Sequence, residues 1–91
     1  MSMECAAGEL DDLAREFKEG KPPQYLAAYY GLPRMLIERI RVLSDAHLAY
    51  ELAWLEERHS QRRLVGALHP YDAAKLALMR VETQRRKGDA Q

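Results

Sequence analysis

The sequence predicts an all-α fold of about five helices, and three observations lead there. Proline and glycine are sparse, with Gly20, Pro22, Pro23 and Gly31 clustered in one short stretch and the remainder far apart. The segments between them are rich in Ala, Leu, Glu and Arg, which form helices readily. Their apolar residues recur at helical spacing, and nowhere do apolar and polar residues alternate as in a half-buried strand. At 91 residues the chain forms a single domain, 1–91. Its composition, 47% hydrophobic and 31% charged, is that of a globular protein.

The first helix is expected over residues 9–19, where Leu10, Leu13, Ala14 and Phe17 share one face and Gly20 provides a stop. After Lys21-Pro22-Pro23, a short second helix should run over 23–30, because proline in a first turn forfeits no hydrogen bond. A third starts at Pro33 or Arg34, ends near Leu43, and carries Leu36, Ile37, Ile40 and Leu43 on its apolar side. Ser44 and Asp45 can cap a fourth helix with side-chain oxygens or lie within one continuous helix; a break is the favoured reading. The fourth runs from Asp45 to about Val65, with Leu48, Leu52, Leu55 and His59 drawing a heptad-like seam and Tyr50 and Trp54 beside it. Gly66 to His69 connects it to a fifth helix, Pro70 to roughly Arg86, whose stripe is Tyr71, Ala74, Leu78 and Val81. Residues 88–91 read as a polar tail. Tyr29, Tyr30, Tyr50, Trp54 and Tyr71 are assigned first to the core and only second to a partner surface.

Acidic and basic residues balance at 14 each, giving a formal net charge of +0, but they are unevenly placed. Residues 1–20 hold Arg15 and Lys18 against Glu4, Glu9, Asp11, Asp12, Glu16 and Glu19, whereas 21–43 hold Lys21, Arg34, Arg39 and Arg41 against Glu38 alone. Arg85-Arg86-Lys87 form a second basic cluster. A neutral protein can bind phosphate through such a face, with modest nonspecific affinity.

Residues 23–42, PQYLAAYYGLPRMLIERIRV, closely resemble the bacterial helix-turn-helix pattern. Two helices meeting through a short turn need a small residue at their contact, which Ala27 supplies, and a left-handed backbone in the turn, which suits Gly31. Leu26, Tyr30, Leu32, Ile37 and Ile40 occupy the positions that face the core. The resemblance implies a tri-helical module over 9–43, followed by a packing and dimerisation part over 44–87. It also implies that the second motif helix enters the major groove of double-stranded DNA. Carried over position by position, Arg34, Met35, Glu38, Arg39 and Val42 would face bases, while Gln24, Tyr25 and, less directly, Arg41 would face phosphate. Without the turn pattern, the three arginines would read as a solvated face and Glu38 as the partner of a neighbouring helix.

The expected function is therefore that of a sequence-specific DNA-binding transcriptional regulator of bacterial or phage type. It would work as a homodimer through Leu48, Leu52, Trp54 and Leu55, reading an inverted repeat about one helical turn apart. The alternative is a small helical adaptor or inhibitor that binds another protein, a reading the neutral charge and acidic first helix favour. No enzyme is expected, since no nucleophile–base pair or glycine-rich phosphate loop is visible. No cofactor or metal is expected either. Glu56-Glu57-Arg58-His59 is half of a helical di-iron signature without its second copy. His47, His59 and His69 lack ligand spacing with each other or with Cys5, the lone cysteine, which reads as a spectator thiol. There is no membrane-spanning run, and residues 1–8 lack a signal peptide's basic start and apolar stretch, so a cytoplasmic location is expected.

Overall fold

The computed structural model describes residues 7–62 and 69–89, and these form five helices with no strand among them. They are α1 (Ala7–Lys18), α2 (Pro23–Tyr30), α3 (Arg34–Val42), α4 (Asp45–Arg62) and α5 (Pro70–Asp89). No helix among the described residues is long and apolar enough to cross a membrane. Cys5 and most of the α4–α5 connection lie outside the described residues.

The boundaries follow from local chemistry. α1 and α2 both end on a left-handed glycine, Gly20 at φ 86° and Gly31 at φ 70°. In each case the next residue's N–H reaches back to close the last turn, Lys21 to the Glu16 carbonyl (3.2 Å) and Leu32 to the Ala27 carbonyl (3.0 Å). This terminal motif requires positive φ, which glycine adopts without steric cost. Leu43 and Ser44 break the chain between α3 and α4, and Ser44 Oγ accepts the His47 N–H at 3.2 Å, an N-cap. His69 does the same for α5 through Nδ1, which accepts the Tyr71 N–H at 3.1 Å. α5 continues through Gly88 to Asp89, so the expected polar tail is helical for its first two residues.

α5 is the hub, packing most extensively on α1 and also on α4 and α3, while α2 packs on α3 and α1. Leu13 and Phe17 of α1 are buried as the periodicity predicts, joined by Leu26, Tyr30, Leu32, Leu36, Ile37 and Ile40 from the next two helices. Because α5 has neighbours on more than one side, its buried surface is wider than one stripe. Leu76, Met79 and Glu82 are buried with Ala74 and Leu78, whereas Tyr71 and Val81 are only half-buried. The seam of α4 belongs to this same core: Leu48 and Leu55 are buried against α5, and Leu52 packs beside them. Leu48 and Leu55 are thus covered within one copy of the chain, while Leu52 is half-buried. Of the expected dimerisation set only Trp54 faces outward, 52% exposed, next to Tyr50 at 72%. Tyr29 is likewise exposed, so of the five aromatics assigned to the core only Tyr30 is buried and Tyr71 half-buried.

Candidate nucleic-acid interface

The α2–α3 pair is positioned by α1. Glu16 accepts hydrogen bonds from both Tyr30 Oη and Tyr25 Oη, the latter at 3.0 Å. The Tyr30 hydrogen bond, with lesser help from Tyr25, Lys21 and Arg15, holds the Glu16 carboxyl below its ordinary range despite some desolvation. Burial, followed by the bonded carboxylate, pushes the Tyr30 phenol up. Tyr25 stacks on Tyr29 with ring centroids 5.7 Å apart, and Lys21 Nζ lies 5.8 Å from the Tyr25 ring. Ala27 is partly buried and packs against the core.

On α3, the inward residues Leu36, Ile37 and Ile40 leave an outward strip of Arg34, Met35, Glu38, Arg39 and Val42. Met35 and Val42 are 79% and 80% exposed. Arg34 donates to Glu38 on the same helix at 2.6 Å, with both side chains open to solvent. The fork of Arg39 is bound to Glu51 of α4 instead, with NH1 to Oε1 at 3.3 Å and NH2 to Oε2 at 2.6 Å. Gln24 and Tyr25 are exposed at the start of α2.

Arg41 does not belong with this set. It is half-buried, lies 4.6 Å over the Phe17 ring, and donates to the carbonyls of Lys21 (2.8 Å) and Phe17 (3.4 Å). Burial lowers its pKa, opposed by the Glu82 charge. Its role is to close the end of α1 rather than to meet phosphate, because helix C-terminal carbonyls attract a cation and hydrogen-bond donor.

Arg86 plays the matching part for α3, donating to the carbonyls of Ile40 (3.3 Å) and Arg41 (3.4 Å) and pairing with Asp45 at 2.8 Å. Both Arg86 and Arg85 donate to the buried Glu82 at 2.7 Å. The basic cluster that looked like a free phosphate surface is therefore partly internal wiring. Sequence reasoning missed Glu82, although a carboxylate three and four residues before two arginines was the available signal.

Among the described residues no group of three or more His, Cys, Asp or Glu converges in a metal-binding arrangement. The chain matches no protein-family model, no curated protein and no solved structure, and its function is argued from its own residues.

Proposed function

We propose that α2 and α3 bind double-stranded DNA as a helix-turn-helix, and that the protein is a sequence-specific regulator of bacterial or phage type. The observation that carries this reading is the division of residues 23–42. The positions the pattern assigns to the core are buried, and those it assigns to bases, Arg34, Met35, Glu38, Arg39 and Val42, lie on the open strip of α3. An arginine can bridge two guanine acceptors, a carboxylate can accept from cytosine, and Met or Val can touch a thymine methyl. Exposed ion pairs such as Arg34–Glu38 contribute little and can be exchanged for a DNA contact.

Binding to duplexes selected from a random library, at fixed salt, tests the proposal. Arg34→Ala and Arg39→Ala should each weaken the best site by about 1–3 kcal/mol and relax preference at one base pair. Gln24→Ala should weaken all sequences alike. If the wild type binds no duplex in a salt-sensitive way, the strip of α3 is not a DNA reader.

The exposed pair Tyr50 and Trp54, one turn apart on the side of α4 away from α5, favours a second role in contact with protein. We place a second copy of the chain there, since a two-fold pair would present two α3 helices to an inverted repeat. Sedimentation at micromolar concentration should give about twice the chain mass, and Trp54→Glu should return a monomer with undiminished helix content. A wild-type monomer would instead leave this face to a different protein, as the adaptor reading requires.

A further inference from the structure

We infer that Glu51 is a positioning residue that fixes Arg39 as the guanine reader of α3, so that one base pair of the site is specified by an α3–α4–α5 ion network. The inference rests on the DNA-binding reading above. Arg34 and Arg39 differ in what holds them. The acceptor of Arg34 is Glu38, a solvent-facing side chain one turn away. The acceptor of Arg39 is a carboxylate only 16% exposed and itself held by two further groups. Lys75 of α5 reaches Glu51 Oε1 at 3.1 Å, and His47 Nε2 lies 3.1 Å from Oε2. Burial pushes the Glu51 carboxyl up, but hydrogen bonds and charge from Arg39 and Lys75 outweigh it and hold it below the ordinary range. It stays ionised near neutral pH.

The geometry also leaves Arg39 with a usable edge. Glu51 takes one N–H from each terminal nitrogen, the end-on fork. A guanidinium carries five N–H donors in fixed planar positions, so Nε–H and the N–H beside it form a second, side-on fork. Among the described residues that edge has no partner, and the side chain is 44% exposed. Guanine O6 and N7 accept such a fork. Because Glu51 is anchored from two helices, Arg39 loses less rotamer freedom on binding than a free arginine would.

Glu51→Gln keeps the shape and removes the charge, and Lys75→Met leaves the carboxylate but loosens it. Both are compared with wild type and Arg39→Ala on the best selected duplex and on its variants at each base pair, with helix content checked throughout. Glu51→Gln should lower the preference for guanine at the base pair identified by Arg39→Ala by roughly tenfold and leave other positions unchanged. Lys75→Met should lower it at the same position by less, and it carries the test should Glu51→Gln fail to fold. If Glu51→Gln instead strengthens binding to all duplexes equally, Glu51 shields Arg39 and the inference is overturned. It is also overturned, with the DNA reading intact, if Arg39→Ala erases the preference while the folded Glu51 and Lys75 variants retain it. Absence of wild-type binding to every duplex removes both.

Discussion

Glu82→Ala should destabilise the protein by about 1.5–3 kcal/mol, the usual loss when charge-assisted hydrogen bonds at a buried acceptor are removed. Glu82 is 1% exposed and accepts from Arg85 Nε and NH2 and from Arg86 Nε. Its removal leaves Arg86 with Asp45 as its remaining carboxylate and loosens a guanidinium that closes the end of α3. A chain of this length has roughly 5–14 kcal/mol of stability in all, so the loss is a sizeable share of it. Urea denaturation at neutral pH measures the difference.

Acid supplies an independent check. Burial raises the Glu82 pKa, but the two arginines outweigh it, so the folded value lies below the unfolded one. A carboxyl with a depressed folded pKa contributes its full stability above the unfolded value of about 4.3 and loses it as pH falls through the folded value. Wild type should therefore weaken below about pH 4.3, and the gap to Glu82→Ala should narrow there. A gap that stays constant down to pH 2 would mean the ionised carboxylate is not what stabilises this junction.

The second large effect contrasts two neighbours on α3. Ile37 is fully buried and Met35 is 79% exposed. Ile37→Ala should cost about 2–5 kcal/mol through lost contacts and a cavity, lowering the melting temperature by roughly 10 °C or more. Met35→Ala should stay within about 0.5 kcal/mol of wild type in stability. Thermal melts of the two variants decide the matter. Equal losses would contradict the placement of α3, because a helix turned the other way round exchanges the two residues.

The elements legible in the sequence were those marked by residues with restricted backbone choices. Pro23, Gly31, Pro33 and Ser44 fix the ends of α2 and α3 and the start of α4 through interactions spanning a few residues. The inward faces of α1 and α3 followed from spacing alone. What covers a face was not legible, because periodicity says which side chains share a side and nothing about the neighbour. Hence the α4 seam was assigned to a second copy of the chain, whereas Leu48 and Leu55 are buried in the core of one copy. Arg41 and Glu82 escaped for a related reason. A charged residue in a charged run reads as solvated, and the partners that draw them inside, Phe17 for Arg41 and the C-terminal end of α3 for the Glu82–Arg86 pair, are far off in sequence.

The packing of α1 on α5 also has a consequence for folding kinetics, because it joins the two ends of the chain. α2 and α3 are adjacent in the chain and can meet as soon as the turn at Gly31 forms, since short loops close quickly. α1 finds most of its cover on a helix that starts at Pro70, so its docking is a long-range event that must await α5. Destabilising substitutions at the α2–α3 contact should therefore slow folding more than those at the α1–α5 contact, which should chiefly speed unfolding, as stopped-flow kinetics would show.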